Sequence, residues 1–319
     1  MCPMTIPMTE PRPILLDCDP GVDDALALLW LAAHPERFDL QAVTVVAGNA
    51  GLENTAANAR RILDFLRCDG VPVYAGASRP ILKTQGKTSL VHGGDGLGDI
   101  GWPPPSRAPE KMHGAQAIIN TAHACAGRLH LVATGPLTNL ALAVLLAPEL
   151  PGLIDGVTLM GGAAFGPGNT TPAAEFNFHV DPEAAHILFE SGIPIVMAGL
   201  DVTRRAVLPP PIMAQLSGPQ APLKGICGKL LAGYDDPCLH DPTAVAYLLD
   251  PALFKGVAAH VAIPCTAGDT AGQSVAAISA RHLAGRSPNA TVLTDLDPVK
   301  FATHFLSSME KLEARLNGN

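Results

Sequence analysis

The sequence has few aromatic residues and no long apolar run. Only 4% of its 319 residues are Phe, Trp or Tyr, although 48% are hydrophobic, so Leu, Val, Ile and Ala must fill the core. The longest apolar run, Ala25 to Ala33, is too short to cross a bilayer, so we expect no membrane association. This composition favours an α/β protein in which helices pack on a buried sheet.

Clusters of basic residues are also lacking. The formal net charge is −8, and no basic run is longer than Arg60-Arg61 or Arg204-Arg205, which argues against a nucleic-acid partner. The seven cysteines are odd in number, widely spaced and without a C-x-x-C motif, which argues against a disulfide framework and a structural zinc site. We therefore expect reduced thiols and a cytoplasmic protein. Residues 1–12 contain no apolar core of a signal peptide, and we expect them to be flexible.

Apolar runs rich in β-branched residues alternate with helical patterns along the chain. This alternation predicts parallel β-α-β units in a single α/β domain over residues 1–319, with a mostly parallel, doubly wound (Rossmann-like) sheet and helices on both faces. The predicted strands are Ile14–Cys18, Ala42–Val46, Val71–Tyr74, Leu129–Ala133, Val157–Met160 and Ile193–Ala198. The predicted helices are Asp24–Ala33, Glu53–Leu66, Gly114–Ala124, Leu137–Leu146, Pro182–Glu190, Pro242–Leu249 and Pro298–Leu316.

Proline and glycine concentrate in three stretches that we expect to be long loops within this domain. They are Ser78–Arg107, Gly161–Pro172 and Pro209–Pro222. Long loops in compact domains often form lids or binding loops. The segment His92–Asp99, rich in glycine, is the best candidate for a mobile flap.

The strongest local signal is an acidic cluster that follows the first predicted strand. Asp17, Asp19, Asp23 and Asp24 fall within eight residues. Crowded carboxylates repel one another unless one takes a proton or a cation lies among them. Ligand sites of open α/β sheets lie at the carboxyl ends of strands, where this cluster falls. If one aspartate were a helix N-cap and others were solvated, one or two of these residues would be explained. A cluster of four aspartates instead predicts a metal site, and its hard oxygen ligands favour Ca²⁺ or Mg²⁺ over Zn²⁺.

A further possible acidic ligand lies far downstream, directly before Pro242. Taken alone, Asp241 is more simply interpreted as the N-cap of a helix that starts at Pro242, and His240 as a packed or surface histidine. Together the two residues place an imidazole beside a carboxylate at a helix start. That pair is compatible with an acid next to a metal ligand.

Other polar segments also follow predicted strands. For Thr134 a strand-to-helix turn is the simpler interpretation, although its carbonyl would face the same cleft as Asp19. Asn49 follows another strand and is similarly ambiguous. A third segment offers donors and acceptors suited to sugar hydroxyls from Asn169, Glu175 and Asn177. Each of these segments alone is weak evidence for a site. All of them lie near predicted strand ends or helix starts, and this shared position makes a common site more convincing.

Six segments of the chain, in the order in which they occur, resemble motifs of the nucleoside hydrolases of the inosine-uridine-preferring type. The resemblance covers nearly the whole chain and implies Ca²⁺-dependent hydrolysis of the N-glycosidic bond of ribonucleosides, pyrimidine or purine, to ribose and free base, in salvage. The most distinctive segment is Leu16–Ala27, LDCDPGVDDALA. The others are Val46–Asn49, His92–Gly98, Ala133–Asn139, Ala174–Asn177 with Asp181–Ala184, and His240–Pro242.

The resemblance also implies a role for each site residue. Asp19 would accept the proton of the attacking water, and His240 would donate to the leaving group. The nucleoside substrate would contact Asp23, Asn49 and Asn177 through its 2′- and 3′-hydroxyls, Asn169 and Glu175 through its 5′-hydroxyl, and His92 and His240 through its base. The Ca²⁺ ligands would be Asp19, Asp24, the main-chain carbonyl of Thr134, and Asp241. A homodimer or homotetramer is implied as well.

The base pocket departs from that of the purine-specific branch, which sandwiches the base between tryptophans. Neither Trp30 nor Trp102 falls at such a place. The presence of both His92 and His240 favours the nonspecific or pyrimidine-preferring branch, and Tyr234 is the candidate for a pocket tyrosine. Cys18 stands where the family commonly has threonine, and we expect it to pack rather than to react.

Two alternatives remain open at the level of sequence. Asp17-x-Asp19 after a strand is also the opening pattern of haloacid-dehalogenase-like phosphatases, which would need a downstream lysine and a late aspartate pair. Asp235-Asp236 is the available late pair, and that chemistry leaves Asp23-Asp24 unexplained. The second alternative is a non-catalytic nucleoside-binding protein, which would not need a base beside a bound water.

Overall fold

A computed structural model describes residues 10–84, 91–218, 221–234 and 236–318. Within these residues, one sheet of nine strands is combined with twelve α-helices. The strands are β1 (Arg12–Cys18), β2 (Phe38–Val45), β3 (Val73–Ala75), β4 (Leu129–Ala133), β5 (Ile154–Met160), β6 (Ile195–Ala198), β7 (Phe254–Ala262), β8 (Val275–Ala277) and β9 (Ala290–Leu296).

The helices lie between the strands and after the last one. They are α1 (Val22–Ala32), α2 (Leu52–Phe65), α3 (Gly114–Cys125), α4 (Thr138–Leu146), α5 (Phe176–Val180), α6 (Pro182–Glu190), α7 (Leu200–Thr203), α8 (Pro210–Gln215), α9 (Pro222–Ala232), α10 (His240–Leu249), α11 (Ala280–Leu283) and α12 (Pro298–Leu316). Two short 3₁₀ helices span Leu150–Gly152 and Pro251–Leu253.

The sheet is doubly wound, as the alternation of elements predicts. Its strand order is β3-β2-β1-β4-β5-β6-β9-β7-β8, and all neighbours from β3 to β9 run parallel. The chain moves outward from β1 through β2 to β3, and then returns to place β4 on the other side of β1. The carboxyl ends of β1 and β4 therefore form the switch point where ligands bind in open α/β sheets.

Helices cover both faces of the sheet because the central strands are apolar on both sides. In β1, Ile14 and Leu16 belong to one buried cluster with α1, α10 and α12, whereas Leu15 belongs to a second cluster with α3, α4 and α6. Near-continuous apolar runs are typical of parallel strands buried on both faces. Trp30 is fully buried in the first cluster, as expected for a core side chain of α1.

The sequence-based assignment misses the last three strands. β7 runs antiparallel to β9, and β8 runs antiparallel to β7 at the sheet edge. The stretch 255–258 of β7 is exposed, so its sequence lacks the apolar run that identifies a buried strand. Helices α5, α7, α8, α9 and α11 were not predicted either. The expected loop Pro209–Pro222 contains α8, whereas Gly161–Pro172 contains no helix or strand.

Two expectations concern segments that are only partly described. Residues 1–9 of the expected flexible N-terminus lie outside the described residues, and Arg12 already begins β1. The flap segment His92–Asp99 has internal hydrogen bonds, in which Asp99 accepts from the amides of Gly94 and Asp95. Its mobility stays a prediction. Among the described helices, none combines the length and the apolar character needed to span a bilayer.

Candidate active site

The first aspartate of the acidic cluster does not face the others. Asp17 lies on β1 and is fully buried, and its Oδ1 accepts hydrogen bonds from Thr44 Oγ1 at 2.5 Å and Asn139 Nδ2 at 2.8 Å. Burial raises its pKa to about 7, against the lowering effect of these two donors. Asp17 therefore ties β1 to β2 and α4. Of the four aspartates whose crowding predicts a metal site, Asp17 thus has a structural role, and it is not among the ligands that the resemblance implies.

Asp19 follows β1 and is held by glycine-rich turns at the ends of neighbouring strands. Its Oδ2 accepts from the amide of Asn49 at 2.6 Å, whereas its Oδ1 is buried without a hydrogen-bond partner. A Cβ on Gly48 or Gly135 would lie 2.0 or 2.6 Å from the Asp19 carboxylate, so neither position has room for a side chain. This buried oxygen, which has no donor and lies beside other carboxylates, fits a cation as its partner.

Asp24 lies in the first turn of α1 and is fixed from two sides. The amide of Gly21 donates to its Oδ2 at 2.8 Å, and Thr134 Oγ1 donates to its Oδ1 at 2.7 Å. Asn49 Nδ2 also approaches Oδ2 at 3.3 Å. Burial and the charge of Asp23 nevertheless raise the pKa of Asp24 to about 6. The helix start and its donors favour the charge but do not fully offset desolvation.

Three carboxylates converge at the base of the cleft. One ligand atom each of Asp23, Asp24 and Asp241 lies within 4.8 Å of the others. Burial and repulsion from the other aspartates raise the pKa of Asp241 and of Asp19 well above the ordinary value. All donors are hard oxygen atoms, so these residues fit a divalent cation of the Ca²⁺ or Mg²⁺ class. The resemblance assigns Asp23 to the ribose hydroxyls and not to the ion, whereas the structure places its carboxylate beside those of Asp24 and Asp241.

The N-cap interpretation of Asp241 is wrong. Helix α10 begins at His240 and its N-cap is Leu239, so Asp241 lies inside the first helical turn. Pro242 occupies the third helical position, where its missing amide hydrogen breaks no intrahelical bond. This earlier start turns both His240 and Asp241 toward the cleft.

A cavity of about 290 Å³ lies above these carboxylates and gathers most of the predicted site residues. Asp19 and Asp24 lie behind its wall, and both contact Asn49. Predicted residues that line it are Asp23, Asn49, His92, Thr134, Asn169, Glu175, Asn177, His240 and Asp241. Tyr234, a candidate in the sequence, lines it too. The lining residues that sequence reasoning missed are Val91, Met160, Thr170, Phe176 and Asp236.

One wall of the cavity carries amide side chains whose orientation is fixed by the backbone. Asn177 Nδ2 donates to the carbonyls of Thr134 at 2.9 Å and Met160 at 3.1 Å. Asn169 Oδ1 accepts from the amide of Phe176 at 2.9 Å. Asn177 is thus left with its carbonyl oxygen, and Asn169 with its NH₂ group, to meet a polar ligand.

Glu175 also has a structural role, which the sequence pattern does not indicate. It is the N-cap of α5, where its carboxylate accepts from the amides of Asn177 at 2.9 Å and Gly162 at 2.8 Å. Burial raises its pKa, although these donors lower it. The residue therefore fixes the start of α5, and with it Asn177, besides lining the cavity.

The opposite wall is formed by two stacked rings. His92 and Tyr234 have ring centroids 5.5 Å apart and an interplanar angle of 26°. His92 Nδ1 accepts from the amide of Val22 at 3.1 Å, so the proton of the neutral ring resides on Nε2. Burial, together with the nearby Asp23 carboxylate, raises the pKa of the Tyr234 hydroxyl.

His240 is held at both ring nitrogens. Nδ1 lies 2.8 Å from Thr203 Oγ1, and Nε2 lies 3.1 Å from Asp236 Oδ2. Burial by itself lowers the histidine pKa, but Asp236 and the Asp23 carboxylate outweigh it, so the pKa of His240 is raised. The four-residue spacing of Asp236 and His240 was the only sequence signal for this pair.

The same arrangement of residues belongs to a known family. The sequence profile described as "Inosine-uridine preferring nucleoside hydrolase" matches residues 14–303. The chain belongs to this family. It is therefore an N-glycosidase, a ribonucleoside hydrolase, and the resemblance drawn from the six motifs is confirmed. Hydrolases of this family depend on a metal ion, and the acidic cluster can hold one.

Relatives of this hydrolase cover nearly its whole length. "Pyrimidine-specific ribonucleoside hydrolase RihA" of Escherichia coli O9:H4 (strain HS) is 41% identical over 296 residues, which are 89% of this chain and 94% of the relative. The structure of "Purine-Preferring Ribonucleoside Hydrolase from Gardnerella vaginalis" has a TM-score of 0.88 and 30% identity, and the match covers 95% and 99% of the two chains. A plant nucleoside hydrolase, PpNRh1, has a TM-score of 0.89 and 27% identity, with 94% and 99% covered.

These findings decide between the alternatives left open by the sequence. A haloacid-dehalogenase-like phosphatase would need Asp17 or Asp19 to attack from the cleft. Asp17 is turned toward Thr44 and Asn139, away from the cavity. The family assignment also sets aside a purely binding function.

Proposed function

We propose that this enzyme hydrolyses ribonucleosides, with pyrimidine nucleosides preferred, in nucleoside salvage, and that it uses Ca²⁺ together with Asp19 as the general base. The observation that carries this proposal is the position of Asp19. Its Oδ1 is buried without a partner beside three convergent carboxylates, directly behind a cavity lined with sugar-binding groups. The pyrimidine preference rests on the relative that is 41% identical.

The ion would be held by Asp19, Asp24, Asp241 and the main-chain carbonyl of Thr134. When bound, it supplies positive charge that lowers the pKa of a neighbouring water and orients the ribose hydroxyls. Asp23 lies among these carboxylates and borders the cavity, so it can accept a hydrogen bond from a ribose hydroxyl beside the ion. The all-oxygen donor set favours Ca²⁺ over Zn²⁺.

The ribose would be oriented by groups that the backbone already fixes. The carbonyl oxygen of Asn177 accepts from a ribose hydroxyl, because its NH₂ group is occupied by Thr134 and Met160. Asn49 faces the same side of the cavity. The 5′-hydroxyl would meet the NH₂ group of Asn169 and the carboxylate of Glu175. This orientation holds the glycosidic carbon over Asp19, which removes the proton from the attacking water.

The base would lie against the stacked rings of His92 and Tyr234. Nε2 of His92 carries the proton that can be donated to a base oxygen, because Nδ1 is bound to the amide of Val22. His240 borders the leaving group from another side and donates to it. Glycosidic cleavage passes through an oxocarbenium-like state, which the surrounding carboxylates stabilise.

The test measures release of free base from uridine, cytidine and inosine by wild type and two aspartate variants. Asp19→Asn keeps an oxygen ligand but cannot take a proton, so we expect a loss of kcat of about 10²- to 10⁴-fold or more. Asp17→Asn is the matched control, because Asp17 lies two residues earlier, on β1, and faces Thr44 and Asn139 instead of the ion site, so its activity should persist. A loss below about tenfold for Asp19→Asn would show that another group is the base. p-Nitrophenyl phosphate should not be hydrolysed.

We also propose that the enzyme is a cytoplasmic homodimer or homotetramer. The support is general: closed symmetry is the usual outcome for soluble enzymes, and the cysteines of the described residues are unpaired, as is common in a reducing compartment. Sedimentation equilibrium at micromolar concentration measures the subunit number, and a monomer would refute the oligomer.

A further inference from the structure

A second group of possible metal ligands lies at the rim of the cavity. Asp236, Cys238 and His240 each offer one ligand atom, and these atoms all lie within 4.8 Å of one another. The three residues occupy every second position of the chain. Cys238, the middle one, forms an isolated antiparallel bridge with Val207. In extended backbone, alternate side chains point to the same side, which brings the carboxylate and the thiol together.

The donor types of this group differ from those of the acidic cluster. A nitrogen, a sulfur and a single carboxylate suit Zn²⁺ and related transition metals, whereas they are poor ligands for Ca²⁺. Zinc–ligand bonds of about 2.0 to 2.3 Å place the atoms of a tetrahedral site about 3.3 to 3.8 Å apart. His240 Nε2 and Asp236 Oδ2 are 3.1 Å apart, and the Cys238 sulfur lies within 4.8 Å of both ligand atoms. The thiol donates to the carbonyl of Arg204 at 3.7 Å, so ion binding requires it to turn away from that carbonyl.

The surroundings of His240 already orient it as a ligand. Thr203 Oγ1 lies 2.8 Å from Nδ1 and can accept its proton, while Nε2 faces the Asp236 carboxylate, to which its N–H donates; Nε2 can bind an ion at this place once that proton leaves. Metal-binding histidines commonly donate their second ring N–H in this way. The Asp236 side chain is 41% exposed, so an ion can enter from solvent.

We propose that Asp236, Cys238 and His240 form an inhibitory site for Zn²⁺, separate from the ion site of the acidic cluster. On binding, the Sγ–H proton of Cys238 and the Nε2–H proton of His240 are released to solvent, Nδ1 keeps its proton toward Thr203, and sulfur, Nε2 and a carboxylate oxygen each donate an electron pair to the ion. Nε2 of His240 then has no proton for the leaving base. The inhibitory part of this inference rests on the proposed function, whereas binding itself does not.

The binding test uses Co²⁺ as a spectroscopic probe for zinc on the holoenzyme in excess Ca²⁺. Thiolate coordination gives a charge-transfer band in the near ultraviolet, which Zn²⁺ should abolish by displacement. We expect the band in wild type and its loss in Cys238→Ala. Cys265→Ala is the control, because it removes a half-buried thiol elsewhere in the chain, and it should keep the band. A band that survives in Cys238→Ala, or a wild type without one, would overturn the site.

The inhibition test measures uridine hydrolysis by the same three proteins across a Zn²⁺ titration. Cys238 does not line the cavity, so Cys238→Ala should retain activity without zinc, and its inhibition should be weaker by about 10²-fold. Equal inhibition of Cys238→Ala and wild type, relieved by added Ca²⁺, would place zinc in the acidic cluster and refute the proposal. If uridine is not hydrolysed at all, the proposed function fails, and the cobalt band still decides the site.

Discussion

The hydroxyl of Thr134 donates a 2.7 Å hydrogen bond to Oδ1 of Asp24, although 110 positions separate the two residues. They meet because β1 and β4 are neighbours in the sheet, with Asp17 paired to Ala133. The carbonyl of the same Thr134 accepts from Asn177 Nδ2 at 2.9 Å. One residue at the switch point therefore links the acidic cluster to the wall that would hold the ribose.

The first prediction concerns the ion. Asp24→Asn should lose bound Ca²⁺, because it removes a charge from the convergent carboxylates and places an NH₂ group near Gly21 or Thr134. Asp17→Asn should retain Ca²⁺, because Asp17 faces Thr44 and Asn139 instead. Elemental analysis of both variants and wild type, purified without added metal, measures the content. Stoichiometric zinc, or full activity without any metal, would contradict the assignment.

The second prediction concerns the leaving group. His240→Ala should lower kcat for inosine much more than for uridine, because a purine can be protonated at N7 and a pyrimidine has no N7. An activated p-nitrophenyl riboside, whose leaving group needs no proton, should be nearly unaffected. Steady-state kinetics on the three substrates measure the difference. Equal losses on all three would mean that His240 holds the site together, through Thr203 and Asp236, and is not an acid.

The third prediction concerns the loop that carries Asn169. The guanidinium of Arg204 donates to the carbonyls of Pro167 and Gly168 at 2.9 and 3.0 Å. Arg204→Ala should raise KM for uridine about tenfold, about 1.4 kcal/mol, because the loop loses charged hydrogen bonds and Asn169 loses its position.

Substrate truncation supplies the control for this loop. With 5′-deoxyuridine, which lacks the hydroxyl that Asn169 is proposed to bind, KM should respond much less to Arg204→Ala. Arg205→Ala breaks only a surface pair with Asp295, at 2.9 Å, and should leave both KM values unchanged. Equal increases with uridine and 5′-deoxyuridine would show that the loop does not act through the 5′-hydroxyl.

The fourth prediction concerns stability in acid. Burial and the charge of Arg12 lower the pKa of His130 from 6.5 to about 3, so the folded protein keeps this ring neutral. The unfolded chain takes up the proton as the pH falls below 6.5, and stability is lost through the window from about 6.5 down to about 3, by at most about 1.4 kcal/mol for each pH unit.

Replacement of the buried ring tests this window. His130→Gln should show a shallower fall of Tm between pH 6.5 and 4 than wild type, whatever its stability at neutral pH. His186→Gln is the control, because His186 is exposed on α6 and should keep the wild-type slope. Thermal unfolding followed by circular dichroism gives both slopes. Identical slopes for wild type and His130→Gln would exclude His130 as a source of acid sensitivity.

The central strands and helices, and the place of the cleft, could be predicted from local patterns of residues. Strands β1 and β4 are apolar runs with residues in both buried clusters, β5 is a similar run, and the helices between β1 and β6 that were assigned from sequence follow apolar periodicities of residues close in the chain. Because carboxyl ends of parallel strands meet at one edge, Asp19, Asn49 and Thr134 could be grouped before their contacts were known. The motif order supplied the remaining candidates.

The direction in which individual side chains point depends on tertiary contacts. Asp17 and Asp19 are both acidic and two residues apart, and the hydroxyl of Thr44 and the amide of Asn139 make Asp17 structural. The stacking of Tyr234 on His92 joins segments 142 positions apart, and β7 is a strand because β9 and β8 offer it hydrogen bonds. Such partners are supplied by distant parts of the chain, so no local pattern of residues records them.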